Sequence, residues 1–249
     1  MDPLLWHVEH LAQIDSTNSW LKDRALDGAD EGLVVYAEYQ SRGRGRLDRQ
    51  WEAPAGSSLL CSILLRRQAR GERLQLVVAA VALSVRGALA RLVQLEPGLK
   101  WPNDLVVGDA KLAGLLAEFV ATPGGPAVVV GLGVNLSASP PHVRATNVLE
   151  ASGVALESRA LLDASLEELT RRLDLLESET GRVQVAREYA GALATLGQRV
   201  RVQQREREYV GEAVRVDDLG QLVVNVEGVE WTFSAGDVVH VRTETGEVA

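Results

Sequence analysis

Gly43-Arg44-Gly45-Arg46-Leu47-Asp48-Arg49-Gln50-Trp51 interleaves three arginines with two glycines and closes on a tryptophan. It follows Leu33 to Tyr39, an apolar run that predicts a strand. The 249-residue chain has a formal net charge of -8, so this concentration of positive charge runs against its background. Alternating glycine lets the backbone turn its N–H groups toward an anion. A guanidinium adds a planar fork suited to phosphate or carboxylate. The stretch reads as a loop that closes over a small anionic ligand, and the alternative reading is a solvated hairpin.

Composition sets the frame around this loop. At 46% hydrophobic and 24% charged residues, the chain has the balance of a soluble globular protein. Its length fits one large domain, or one domain with a small appendage. Cys61 is the only cysteine, which excludes an intrachain disulfide and a thiolate zinc site, and a reducing cytoplasm is expected. Met1-Asp2-Pro3 does not open a secretory signal. The apolar stretch Leu76 to Leu83 is too short to span a bilayer and Arg86 follows it, so no membrane role is expected. The acidic balance argues against a nucleic-acid-binding surface.

Outward from the loop, Asp15-Ser16-Thr17-Asn18 offers N-caps for a helix that stops near Gly28. Ser58 to Leu65 predicts a second strand, and Glu72 to Val93 a long, largely buried helix. Leu105 to Val107 and Lys111 to Val120 form a hairpin about Gly108-Asp109. Ala127 to Leu136 is a further strand. Leucines from Leu161 to Leu176 mark an amphipathic helix, and another is expected over Val183 to Leu196. From Gln198 the pattern changes to short strands, Arg199 to Gln203, Tyr209 to Val216, Gln221 to Val226, Val229 to Phe233 and Val238 to Arg242. That is the size of a small five-stranded barrel, with the boundary between residues 1–196 and 197–249.

Four more segments carry candidate chemistry. Ser16-Thr17-Asn18 places hydroxyl and amide groups at a helix start, either as caps or to hold a polar ligand. In Lys100-Trp101-Pro102-Asn103-Asp104, proline fixes a turn, with Lys100 available for phosphate and Asp104 for magnesium. Lys111 opens an apolar strand and needs a partner, a ligand carboxylate or phosphate, unless it reaches water. Gly131, Gly133 and Asn135 alternate on a strand and share one face. Two missing side chains leave a bed for another group, or for a closely packed helix.

In this order, Asp15-Ser16-Thr17-Asn18, Gly43-Arg44-Gly45-Arg46 through Trp51, Lys100-Trp101-Pro102-Asn103-Asp104, Lys111-Leu112-Ala113-Gly114 and Gly131-Leu132-Gly133-Val134-Asn135 resemble the motif set of biotin protein ligases. The resemblance implies an α+β fold, a mixed sheet packed on helices of the class II synthetase-like kind, followed by a small SH3-like β-barrel. It implies an ATP-dependent enzyme that makes biotinyl-5′-AMP and transfers biotin to a lysine of a biotin carboxyl carrier protein. By the same analogy, Lys111 and Arg46 are catalytic. Ser16, Thr17, Asn18, Gln40, Gly43, Arg44, Gly45, Arg46, Lys111, Gly114, Gly131 and Gly133 border biotin. Arg46, Arg49, Trp51, Lys100, Asn103, Asp104, Lys111 and Asn135 border ATP, with Asp104 also toward magnesium. Asp48 stands where many relatives carry glycine. No helix-turn-helix is expected before Trp6, and the protein is expected as a monomer or homodimer. A lipoate-protein ligase, which would lack the Lys-Trp-Pro-Asn-Asp run, and a non-catalytic biotin- or adenylate-sensing module are the rival readings.

Overall fold

In the computed structural model, which describes residues 4–47, 49–141, 143–204 and 207–240, most of the chain builds on one mixed sheet. Its strands are β1 (His7–Ile14), β2 (Leu33–Gln40), β3 (Ser58–Leu65), β4 (Gly98–Lys100), β5 (Asp104–Val107), β6 (Ala110–Thr122) and β7 (Gly125–Asn135). They lie in the order β1-β2-β3-β7-β6-β5-β4. Only β1 and β2 run parallel, and all other neighbours are antiparallel. A parallel pair cannot be joined by a hairpin, so the chain crosses over through α1 (Thr17–Leu26). That crossover sets the start of α1 just beyond the end of β1. The sequence reading had not anticipated β1. It is an edge strand whose charged and apolar residues mix without a β-branched run, as edges commonly do.

Behind the sheet lies α2 (Leu74–Val93), in which every residue from Leu76 to Val85 is buried. Its alanines allow close approach to α4 (Ser158–Leu176) and α5 (Glu179–Ala192), which cover it. The helical stretch Gly71–Val93 is longer than the apolar run first suggested, and by length and composition it could cross a bilayer. Most of it is buried inside the protein, which is how a core helix that is apolar all round is used. A short α3 (Val148–Ser152) precedes α4. Helix α5 begins four residues before its expected start, because Ser178 caps the N–H of Gly181 at 3.0 Å. It ends at Ala192 and not at Leu196, because Leu193 bridges Leu99 and Ala194 N–H donates to the Leu99 carbonyl at 2.8 Å.

The carboxy-terminal strands β8 (Arg199–Gln204), β9 (Arg207–Val216), β10 (Leu222–Val226), β11 (Val229–Phe233) and β12 (Asp237–His240) form a second, antiparallel sheet in the order β11-β10-β9-β8-β12. Among the described residues no pairing joins β11 to β12, so the expected barrel is an open five-stranded sheet. Positions 241 and 242 of its last expected strand lie outside the described residues. Its inner face, with Val200, Val202, Ala213, Val224 and Phe233, belongs to the same buried cluster as Leu99, Trp101 and α2. Trp101 fastens the two sheets together. Its Nε1 donates to the Gly220 carbonyl at 3.1 Å, and its backbone N–H donates to Thr195 Oγ1 at 3.0 Å.

Candidate active site

A cleft of about 630 Å³ opens where the start of α1, the arginine loop, the turn between β4 and β5, and the strands β6 and β7 meet. Val238 and Val239 of β12 close one side, so the second sheet completes it. Gly114, Gly131 and Gly133 lie on its floor. A methyl group built at Gly131 would collide with Asn18 Oδ1, and one at Gly133 would stand 2.5 Å from the Trp51 ring. At Gly114 it would stand 3.0 Å from both Trp51 and Lys111 Nζ. The flat bed inferred from the sequence is thus real, but side chains of the protein occupy it: the first turn of a helix at one end, an indole at the other.

The arginine loop is a hairpin. Arg44 pairs with Gln50, Trp51 N–H donates to the Gly43 carbonyl at 3.0 Å, and Gly45 N–H donates to the Arg49 carbonyl at 2.7 Å. Leu47 takes a left-handed conformation at φ 54°. This narrows the expectation that the glycines let backbone N–H groups turn toward an anion, since the Gly45 N–H is used within the loop. Gly43 is required for a different reason: a Cβ there would strike the Trp51 carbonyl oxygen. Asp48 lies outside the described residues. The hairpin is fixed to the body rather than solvated. Arg44 Nη1 donates to Glu118 Oε2 at 2.9 Å. Arg46 Nη1 donates to Asn103 Oδ1 at 3.1 Å, and its Nη2 donates to the Gly236 carbonyl at 2.9 Å. Arg49 lines the cleft.

At the start of α1, Ser16 is the N-cap, and Thr17 and Asn18 turn inward. The Thr17 backbone N–H and hydroxyl donate to Gln40 Oε1 at 2.7 and 3.0 Å. The Ser62 hydroxyl lies 2.8 Å from Thr17 Oγ1 and 2.5 Å from Asn18 Oδ1. Asn18 Nδ2 donates to the Leu116 carbonyl at 3.2 Å and to Glu118 Oε2 at 3.0 Å. Capping and the presentation of polar groups to the cleft are therefore served by one segment. Ser62 and Glu118 were not singled out from the sequence. Each carried a signal, as a polar residue inside a strand that is otherwise apolar. Burial raises the Glu118 carboxyl, but the hydrogen bonds from Asn18 and Lys22 and the Lys22 and Arg44 charges outweigh it, so it lies below the usual carboxylate range.

Lys111 Nζ pairs with Asp104 Oδ1 at 2.7 Å and stands 5.6 Å from the centre of the Trp51 ring. The lysine whose partner the sequence assigned to a ligand thus has a carboxylate beside it. Asn103 braces the neighbouring turn, with Nδ2 donating to the Leu115 carbonyl at 2.7 Å. Lys100 lines the cleft. Asn135 has a supporting half and an open half: Nδ2 donates to the Thr146 carbonyl at 3.0 Å, while Oδ1 is buried without a partner among the described residues. The buried Trp51 Nε1 also has none. An orphaned donor and an orphaned acceptor beside one cleft are costly unless a polar ligand meets them. On the far side, burial and the Lys100 charge lower the pKa of His240, whose Nε2 lies 3.3 Å from Thr195 Oγ1.

Magnesium has no all-protein cage here, because no group of three or more His, Cys, Asp or Glu occurs among the described residues. Among the described residues, Asp104 and Glu52 are the carboxylates that line the cleft. That donor set suits magnesium held jointly with nucleotide phosphates.

Residues 10–135 match the Biotin/lipoate A/B protein ligase family, and residues 195–241 match the Biotin protein ligase C terminal domain. The chain is 37% identical to the biotin--[acetyl-CoA-carboxylase] ligase of Mycobacterium tuberculosis, over 94% of its own length and 89% of that protein. It is 30% identical to the bifunctional ligase/repressor BirA of Escherichia coli, over 93% of its own length and 73% of that protein. The biotin protein ligase of Aquifex aeolicus, solved in complex with biotin and ATP, superposes with a TM-score of 0.83 at 25% identity, covering 95% of this chain and 99% of that one. Fold, cleft and the amino-terminal match together define a ligase of the biotin/lipoate class. The carboxy-terminal match and the extent of identity narrow it further, and the chain belongs to the biotin protein ligase family.

Proposed function

We propose that this cleft joins biotin to ATP and then passes the biotinyl group to a lysine of a biotin carboxyl carrier domain. In the first step the biotin carboxylate attacks the α-phosphate, and pyrophosphate leaves. In the second the lysine ε-amine attacks the acyl carbon, and AMP leaves. The observation that carries this reading is the convergence on one glycine floor of Lys111, the arginine hairpin and the polar start of α1. Two anions must be brought together against their repulsion, which calls for cations between them. Lys111, at the centre of the floor, supplies one. Its pairing with Asp104 at 2.7 Å aims the ammonium before the ligands arrive.

The other roles follow from position. Ser16, Thr17, Asn18 and Gln40 present donors and acceptors to the biotin ring system, and Ser62 orients two of them. Arg44 and Arg46 shape the hairpin, which with Gly43 and Gly45 covers biotin. Arg49, Trp51, Lys100, Asn103 and Asn135 face the nucleotide, whose polar groups would meet Trp51 Nε1 and Asn135 Oδ1. Magnesium, held by Asp104 together with the phosphates, would neutralise charge on them. The mixed anhydride must be kept from water, and the hairpin with β12 provides the cover.

Pyrophosphate release tests the reading. It is expected to require ATP and biotin together, and to fall when lipoate replaces biotin. Release that ignores biotin, or that prefers lipoate, would overturn it. A second expectation concerns retention. Arg46 ties the hairpin to Asn103 and to the second sheet, and charged hydrogen bonds of this kind each contribute about 1.5–3 kcal/mol. Arg46→Gly should therefore release biotinyl-5′-AMP at least about tenfold faster and label bystander lysines. An adenylate held as long as in wild type would remove Arg46 from the cover.

A further inference from the structure

Glu118 is the only charged residue of β6 besides Lys111, and it stands in an apolar run. Its side chain is 18% exposed, and a carboxylate so placed is costly unless compensated. Compensation comes from two distant parts of the chain. From α1, Lys22 Nζ reaches Oε1 at 3.0 Å and Asn18 Nδ2 reaches Oε2 at 3.0 Å. From the arginine hairpin, Arg44 Nη1 reaches the same Oε2 at 2.9 Å. One oxygen atom is therefore shared by the base of the hairpin and by an amide of the polar network that faces the cleft. Glu118 itself does not line the cleft.

We propose that Glu118 is a positioning residue: it clamps Arg44 to Asn18, so that the stance of the hairpin and the orientation of the ring-facing amide are set together. Its kinetic consequence rests on the ligase reading, whereas the contact does not. A carboxylate needed only for the core would be served by Lys22 and Asn18, which come from the rigid helix α1. The Arg44 contact adds a segment that is otherwise held by its own backbone pairing, by Trp51 and by Arg46. Closing the hairpin and seating the ring are then one event rather than two.

Glu118→Gln separates the roles, because its amide oxygen still accepts from Asn18 while the charge that holds Arg44 is gone. Two readouts apply. The first is trypsin cleavage after Arg46 and Arg49, the sites every variant keeps, in the ligand-free protein, mapped by mass. The second is loss of biotinyl-5′-AMP after free biotin and ATP are removed. For Glu118→Gln both are expected to run about fivefold faster than wild type, the scale of a partly exposed ion pair, with the melting temperature little changed. Lys22→Ala should leave both rates at the wild-type value. Arg44→Gln should match Glu118→Gln, and the double variant should add nothing further.

Wild-type rates in Glu118→Gln, or effects of Arg44→Gln and Glu118→Gln that simply add, would overturn the clamp. If Glu118→Gln does not fold, the exchange of Arg44→Glu with Glu118→Arg decides: restored trypsin resistance supports the clamp, and unrestored resistance overturns it. Wild-type turnover reports on the ligase reading separately, since the trypsin rates need no ligand.

Discussion

Lys111→Ala is expected to lower biotin-dependent pyrophosphate release by about a hundred- to a thousandfold, the range in which removing one preorganised stabilising group from a reacting centre falls. The lysine stands over the glycine floor, with Asp104 on one side and the Trp51 ring on the other. Of the two lysines that line the cleft, Lys100 and Lys111, it is the one whose tip reaches the position beside Gly114. The loss should be confined to chemistry. Lys111 lies near the start of β6, and its pair with Asp104 is partly exposed, so the stability cost is about 1 kcal/mol or less. A melt by circular dichroism checks that half of the expectation, and pyrophosphate release checks the other. Lys111→Arg should not restore the rate. Gly114 and Trp51 close around the lysine tip, and a guanidinium is a wider, planar group. Turnover by either variant near the wild-type rate would remove Lys111 from the reaction.

Trp101→Ala is expected to destabilise the protein by about 3–5 kcal/mol, the range for emptying a large buried aromatic site. The side chain is 1% exposed and sits in the cluster that unites both sheets. Its loss also leaves the Gly220 carbonyl without its donor. For a chain of this length the melting temperature should fall by about 10 °C. Activity should fall beyond what stability explains, because Asn103 and Asp104 follow two and three residues later on the same turn. A melting temperature within about 2 °C of wild type would contradict this account. The same contact predicts the fate of a chain cut before Gln198: Leu99 and Trp101 would be uncovered, so the remainder should aggregate rather than work at reduced efficiency.

The local elements of the site were legible because each depends on neighbours in sequence. Ser16 caps because hydroxyls satisfy the first turn of a helix, and Gly131 and Gly133 share a face because strands alternate. Partners could not be read in the same way. Arg44 meets Glu118 across 74 positions, and Ser62 meets Asn18 across 44. No local pattern records such pairings, although a lone Glu among Leu, Ala, Phe and Val announced that something must meet it. The glycine loop was legible as a site and misread in detail. Residue type permits a backbone to bind anions, but whether an N–H is free depends on the hairpin closing, and here Gly45 closes it. At β4 the strand is three residues long and its pairing with β5 decides it. Helix α5 shifted because its ends were fixed by Ser178 and by Leu99, one of them far away in the chain.

Gly114 and Gly133 belong to different strands, yet both lie beneath one indole from the arginine hairpin. The chamber therefore has no slack between its base and its cover. A methyl added below is met by Trp51 before any ligand feels it, so a change of cavity shape in the strands is at once a change in the hairpin. Divergence toward a bulkier or differently shaped acid must then proceed by matched steps in two parts of the chain, and single steps at these glycines lead out of function rather than toward a new one.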